Sequence, residues 1–220
     1  MRLHLRLLAG VAAVLLWSAI RPHDYFTWFL EVFPALVAAG VLAATYRRFR
    51  FTDLAYTLMA AHAVILMIGG HYTYAEVPLF NWIRDTLHLA RNNYDKVGHF
   101  AQGFVPAVVT REILLRTSPL RPGKWLTFLT ASVCLALSAV YELIEWWVAL
   151  ATGTSSDAFL GTQGYVWDTQ SDMLYCTVGA ILSLALLTRA HDRALAGLLR
   201  SGGRHESLRQ CAQQGQNLSG

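Results

Sequence analysis

The chain of 220 residues is poor in charge and in cysteine, and each shortage excludes a class of protein. Charged residues make up 15% of the sequence and hydrophobic residues 55%, whereas an ordinary soluble domain is about 25% charged. This composition excludes a disordered chain, a collagen and a coiled coil. The three cysteines have no short spacing that would build a zinc motif or a disulfide framework. A nucleotide-binding glycine pattern and a serine nucleophile elbow are also missing.

The sequence consists instead of apolar blocks that contain few or no charged residues. Since a helix needs about 20 mainly apolar residues to cross the hydrocarbon core, the blocks predict an all-α, polytopic transmembrane helix bundle. Six spans are expected, at about residues 5–21, 26–46, 54–71, 96–115, 125–150 and 171–189. The first span also resembles a signal peptide, but no small-x-small cleavage site follows it, so we expect a retained helix.

The basic residues predict how the bundle is oriented. With the N-terminus inside, 14 of the 18 Lys and Arg residues fall in cytoplasmic segments, so both termini are predicted to be cytoplasmic. This topology accounts for the net charge of +4 without nucleic acid, and the expected partner is the lipid bilayer. Residues 1–190 form one predicted transmembrane domain, and residues 191–220 are predicted to be a polar, disordered cytoplasmic tail.

Several ionisable residues fall where the spans approach the outer leaflet. Each costs at least about 2.5–3.5 kcal/mol at mid-helix, so each marks a candidate functional site. Asp95 and His99 are four residues apart and share one helix face, and Glu142 and Glu145, three apart, lie late in the fifth span. The same leaflet is expected to receive further groups from other segments: Glu31, His71, Asp168 and Asp172.

Carboxylates and histidines without thiolates can act as general acids and bases or bind a divalent metal such as Zn, Mn or Mg. The predicted catalytic residues are His99, Glu142, Glu145 and Asp172. The predicted substrate-binding residues are Asp95, Lys96, His71, Gln163 and Asp168. Gly161 and Gly164 bracket Gln163 in a long outer loop and allow tight turns there. A metal would bind His99, Glu142 and Glu145, but the spacing matches no established metal motif, so proton transfer stays an equal alternative.

Simpler roles are available for these residues. Asp168 and Asp172 suit the start of the last span, where carboxylates complement the helix dipole, and Glu142 and Glu145 suit ion pairs with Lys96 or Arg91. The remaining polar positions have structural interpretations: His62 as a packing or hydrogen-bonding histidine, Arg111 and Glu112 as interfacial side chains that reach water, and residues 78–88 as an amphipathic helix on the outer surface.

The motifs resemble a known family. Arg91–Ala107, Tyr141–Trp147 and Phe159–Met173 are similar to segments of the YjdF family of bacterial inner-membrane proteins, and the similarity covers about residues 15–190. The resemblance implies a multi-pass inner-membrane protein. Tyr165 departs from the family pattern, which tends to have an acidic residue there. The chain has a fainter likeness to VanZ-like membrane proteins, associated with glycopeptide resistance, at Asp95, Lys96, His99, Glu142 and Asp172.

Three functions fit these observations. The first is an envelope enzyme that acts on a lipid or lipid-linked substrate from the outer leaflet. The second is a small ion-coupled transporter, which is disfavoured because the polar residues are not expected to line both halves of the membrane. The third is a non-catalytic membrane module that binds a lipid or a partner protein, with the polar cluster holding the helices together.

Overall fold

The computed structural model describes residues 2–153 and 162–217, with side chains described as far as residue 200. These residues form seven α-helices and one 3₁₀ turn, without a strand, which confirms the all-α prediction. The helices are α1 (Arg2–Ser18), α2 (Tyr25–Thr45), α3 (Asp53–Tyr72), α4 (Pro78–Leu87), α5 (Tyr94–Thr117), α6 (Lys124–Thr152) and α7 (Asp168–Asn217), and the 3₁₀ turn is Tyr74–Glu76.

The helices begin at residues that suit helix starts. The Asp24 carboxylate accepts the backbone N–H of Thr27 at 2.7 Å, and the Thr52 hydroxyl accepts that of Ala55 at 3.3 Å, so both cap a first turn. Pro78 occupies the first turn of α4, where no amide donor is needed. Six helices agree with the predicted spans to within about three residues at each end, except at the end of α7.

The last helix corrects the predicted start of the tail. Helix α7 continues past residue 190 to Asn217, so residues 191–200 are helical instead of disordered. The polar composition of residues 191–200 predicted disorder, but the segment is helical because two of its side chains pack against the bundle. His191 is fully buried and Leu195 is 9% exposed.

Among the described residues, four helices are long and apolar enough to cross a membrane by length and composition, namely α2, α3, α6 and the part of α7 up to Arg200. Many of the largest apolar side chains point outward, such as Leu8, Phe33 and Trp147. Buried polar or charged residues are about as numerous as buried apolar ones among the described residues. This distribution suits a bundle whose surface contacts lipid and whose interior holds the polar groups.

Pairwise contacts define two ends of the bundle. Helices α5 and α7 run parallel, since Lys96 contacts Asp172 near both N-termini and Arg111 contacts His191 further along. Helix α3 runs opposite to α5, and α6 opposite to α7. We call the end with the first turn of α5 the Asp95 end and the end with the last turns of α5 the Glu112 end. Helix α4 lies at the Asp95 end with Leu79, Trp82 and Leu87 exposed, as expected of an amphipathic surface helix.

Two glycines bring α5 and α7 together. A Cβ atom at Gly103 would overlap the carbonyl oxygen of Cys176, and one at Gly179 would overlap that of Phe100. Small residues let helix backbones approach closely where lipid provides no hydrophobic drive for association. This contact fixes the register of α5 against α7 and thereby positions the charged first turns of both helices.

Candidate functional site

A cluster of opposite charges, here called the Asp95 cluster, lies where the first turns of α5 and α7 meet. Its members are Arg91, Asp95, Lys96, Asp168 and Asp172. Lys96 Nζ donates to Asp172 at 2.5 Å, to Asp168 at 2.9 Å and to Asp95 at 3.2 Å. Arg91 donates to Asp168 at 2.6 Å and to Asp95 at 3.3 Å. All five side chains are at most 10% exposed. The cluster thus sets three carboxylates against two cations in a buried position.

His99 lies one helical turn further along α5 and contacts this cluster. Its Nε2 atom is 3.2 Å from Asp95 Oδ1 and 3.8 Å from Asp172 Oδ2. Its Nδ1 atom is 2.9 Å from Gln102 Oε1 and 3.9 Å from Glu142 Oε1. The imidazole is 8% exposed and both ring nitrogens face oxygen atoms. A carboxylate that accepts from one nitrogen orients the ring and makes it a better proton acceptor.

Glu142 and Glu145 of α6 face His99 from the other side. Glu142 Oε1 is buried and has no hydrogen-bond partner. Within the described residues neither glutamate forms an ion pair with Lys or Arg, because Arg91 and Lys96 pair with aspartates instead. The alternative that these glutamates are held by Lys96 or Arg91 is therefore wrong.

His99 belongs to two groups of possible metal ligands. One donor atom from each of His99, Glu142 and Glu145 lies within 4.8 Å of the others, and the same holds for Asp95, His99 and Asp172. The first group consists of the three residues for which the sequence analysis predicted a metal. The donors are oxygen and imidazole nitrogen, which suit zinc or manganese.

A cavity of about 80 Å³ adjoins His99 between helices α2, α3, α5 and α6. Such a volume has room for a few water molecules or one small polar group. Its lining is rich in ionisable and phenolic side chains: Glu31, Pro34, His62, Leu66, Tyr74, Asp95, Gly98, His99, Gln102, Tyr141 and Glu145. His62, interpreted from the sequence as a packing residue, lines this cavity with its Nε2 atom buried and without a hydrogen bond.

Tyr74 is a part of the site that sequence reasoning missed. Its ring is wedged between α3 and α5, and a Cβ atom at Gly69 or Gly98 would overlap it. The preceding residue, Thr73, has a φ of 57°, a conformation that a β-branched residue rarely adopts. The packing of the Tyr74 ring against Gly69 and Gly98 stabilises the turn at Thr73. The Gly-Gly pair before His71 and Gly98 before His99 were the only sequence signals of this close contact.

The loop before α7 is fastened to the start of α5 by an amide pair. Gln163 Oε1 accepts the backbone N–H of Asn92 at 3.0 Å, and Gln163 Nε2 donates to the Asn92 carbonyl at 2.9 Å. Gln163 and Gly164 both have positive φ, at 48° and 81°, in accord with the predicted tight turn, while Gly161 lies outside the described residues. Gln163 therefore positions the loop beside the Asp95 cluster.

Tyr165 follows this turn and covers the two cations of the cluster. Its ring centroid is 5.5 Å from the Arg91 guanidinium carbon and 5.9 Å from Lys96 Nζ. An aromatic face attracts cations through its quadrupole. Tyr165 thus presents a negative surface to both cations.

His71 does not join the site. Its Nδ1 atom is 3.0 Å from the Ser18 carbonyl oxygen, and its ring stacks on Trp17 with centroids 4.4 Å apart. These contacts hold α3 against α1. The sequence placed His71 at the correct end of the bundle, but its side chain contacts Ser18 and Trp17 of α1 and not the Asp95 cluster.

The interfacial interpretation of Arg111 and Glu112 is wrong. Glu112 is fully buried and accepts from Thr52 Oγ1 at 2.8 Å, from Arg116 at 2.8 Å and from His191 Nε2 at 3.1 Å. Arg111 is 4% exposed and donates to His191 Nδ1 at 2.9 Å. Both residues occur near the end of a span, where snorkelling is common, and the buried partner on α7 lies 79 residues away in sequence from Glu112. A second buried polar cluster therefore stands at the Glu112 end.

Together these features define a membrane-embedded helix bundle with a buried His and carboxylate site. The chain matches the family described as "Predicted membrane protein (DUF2238)" over residues 3–193. It is 52% identical over 182 residues to the inner membrane protein YjdF of Escherichia coli (strain K12), an alignment that covers 83% of this chain and 87% of that protein. No solved structure matches the chain. The chain belongs to this family of multi-pass inner-membrane proteins, which confirms the resemblance and the location.

Proposed function

We propose that six helices cross the inner membrane, with both termini in the cytoplasm and the Asp95 end at the periplasmic face. Helix α1 contacts α3 at both of its ends, through His4–Asp53 and His71–Ser18. Helix α5 contacts it through Thr52–Glu112 at the start and Ile65–Tyr94 further along, and the Tyr74 ring packs between Gly69 of α3 and Gly98 of α5. Helices α1 and α5 therefore span the same depth as α3, which is long and apolar enough to cross. The asymmetry of Lys and Arg supports the orientation.

We further infer that the protein is an envelope enzyme that acts on a lipid or lipid-linked substrate at the periplasmic leaflet. One observation carries this: His99 is oriented by Asp95 at 3.2 Å and lines a small cavity to which several ionisable side chains contribute. A buried histidine paired with a carboxylate is suited to general acid–base catalysis. In a cavity of about 80 Å³ only the reacting group of a lipid fits, while its chains stay in the bilayer.

The proposed roles follow from position. His99 transfers the proton, Glu145 at the same cavity and Glu142 beside His99 act as acid, base or ligands, and Asp172 supports the charge of His99. Asp95, Lys96, Asp168 and Gln163 hold the first turns of α5 and α7 and the loop at the site entrance. His71 is omitted because its contacts are with α1.

The test is a comparison of lipid turnover. Purified protein is reconstituted in vesicles of total bacterial lipid extract, and the lipids are compared over time by untargeted mass spectrometry. We expect a product that wild type forms and that His99→Ala forms about 10²–10⁴-fold more slowly. The matched control is His88→Asn, since His88 is an exposed histidine at the same end of the bundle. Identical lipid profiles for wild type and His99→Ala, with or without added divalent metal, contradict the enzyme proposal.

A second candidate, an ion-coupled carrier, is favoured by the buried cluster at the Glu112 end. Its earlier weakness was that polar residues lined only one half of the membrane, and Glu112 lies about 25 Å along α5 from Asp95. A proton flux into vesicles that Glu142→Gln and Glu112→Gln each abolish supports a carrier. Equal flux in wild type and in the double variant contradicts it.

A further inference from the structure

Among the described residues, neither glutamate beside His99 forms an ion pair with a Lys or Arg residue. Glu142 is 8% exposed and its Oε1 atom has no hydrogen-bond partner. The nearest group that can carry positive charge is His99 Nδ1, at 3.9 Å. A buried carboxylate is costly unless it is paired, protonated or bound to a metal. Arg91 and Lys96 cannot serve here because the three aspartates occupy them.

The geometry of the three side chains suits a metal ion. Their donor atoms lie within 4.8 Å of one another, and the Glu142 Oε1 to His99 Nδ1 distance is 3.9 Å. Two ligands at about 2.1 Å from a tetrahedral zinc ion are about 3.4 Å apart, so small side-chain movements, together with release of the Gln102 Oε1 contact of His99 Nδ1, bring them to binding distance. One imidazole and two carboxylates also balance the charge of a divalent ion.

The cavity supplies the remaining coordination position. A catalytic metal keeps three protein ligands and leaves an open site for water or substrate. His99 and Glu145 both line the cavity, so an ion between them faces a space that holds a few waters. The alternative group of Asp95, His99 and Asp172 has less need of an ion, because Lys96 already contacts both aspartates.

We propose that His99, Glu142 and Glu145 bind one divalent transition metal ion, Zn²⁺ or Mn²⁺, with an open position toward the cavity. The proposal deepens the proposed function and rests on it for a catalytic role of the ion. The binding itself is measured without a substrate, so the two proposals can fail separately. At this site the ion would activate a water molecule or polarise an oxygen of the substrate.

The experiment uses the full-length protein in detergent, stripped with a chelator, reloaded with Zn²⁺ or Mn²⁺ alone and desalted. Bound metal is then measured by elemental mass spectrometry. We expect about one ion per chain in wild type and in the control Glu76→Gln, which alters an exposed glutamate at the same end. Two variants should retain less than about a tenth of that amount. One is the double variant Glu142→Gln and Glu145→Gln, and the other is His99→Asn.

A second measurement uses wild-type protein only, so it does not depend on whether the variants fold. Wild type loaded with Co²⁺ should show d–d absorption of four- or five-coordinate cobalt without a thiolate charge-transfer band, since no cysteine belongs to the site. Absence of retained metal and of this absorption overturns the proposal. The proposal is also overturned if Asp172→Asn loses the metal while the double glutamine variant keeps it, because that result assigns the ion to the aspartates. Lipid turnover by a protein that retains no ion after reloading would overturn the metal proposal and leave the enzyme proposal standing.

Discussion

Removal of the Lys96 ammonium is the most informative perturbation of the Asp95 cluster. The side chain is 9% exposed and its Nζ atom contacts three carboxylates at 2.5–3.2 Å. In Lys96→Met, Arg91 still contacts Asp95 and Asp168, but Asp172 keeps only His99, at 3.8 Å, as a possible cationic partner. The main energetic loss therefore falls on the Asp172 carboxylate.

The expected cost follows from this loss. Breaking a buried ion pair by removing one partner costs about 3–5 kcal/mol, since it leaves an uncompensated buried charge. For a chain of this size each kcal/mol lowers Tm by about 2–4 °C, so Tm should fall by about 6–20 °C. Tm is measured by differential scanning fluorimetry of protein purified in one detergent.

Two further variants make the measurement specific. Arg84→Met removes the partner of the exposed Asp85 and should leave Tm unchanged, because surface ion pairs contribute little. Lys96→Met combined with Asp172→Asn should be more stable than Lys96→Met alone, since the uncompensated charge is gone. A Tm within about 2 °C of wild type for Lys96→Met, or no recovery in the double variant, would refute the reasoning.

Two further predictions concern packing and capping. Gly103→Ala should prevent close packing of α5 on α7, because its Cβ would overlap a carbonyl oxygen of α7, whereas Gly197→Ala enters open space. Of these two variants, only Gly197→Ala should give a monodisperse peak in size-exclusion chromatography. Identical elution profiles for the two variants would contradict the packing account. Asp24→Ala should cost about 1 kcal/mol at neutral pH. The pKa of Asp24 is lowered chiefly by the backbone N–H that it accepts, so this contribution is present above the usual carboxyl pKa and is lost as pH falls through the folded-state pKa. A Tm difference from wild type that persists in acid would contradict this assignment.

The sequence predicted the helices well because apolar block length decides where spans can form. It also predicted which residues approach each other along one helix, such as Asp95 with His99 and Glu142 with Glu145, since helical spacing alone sets those neighbours. The direction in which each predicted span runs also indicated at which end of the bundle these residues lie. These three inferences need no knowledge of how helices pack against each other.

Partner choice between helices was not predictable. Nothing in the spacing shows that Lys96 pairs with aspartates 72 and 76 residues away and not with Glu142. His62 reaches the cavity from the middle of α3, and Glu112 is buried because α7 brings His191 against it. Such contacts depend on helix rotation and register, which here follow from close glycine contacts between α5 and α7.

The central claim is that His99 does chemistry and does not merely hold the bundle together. The direct test measures Tm and lipid turnover of His99→Gln and wild type in the same preparation, because glutamine can still donate to Asp95. The account predicts turnover at least about 100-fold lower with Tm within about 4 °C of wild type. A variant that loses Tm and turnover in proportion, or that keeps full turnover, would contradict it and favour a module in which the polar residues only bind the helices together.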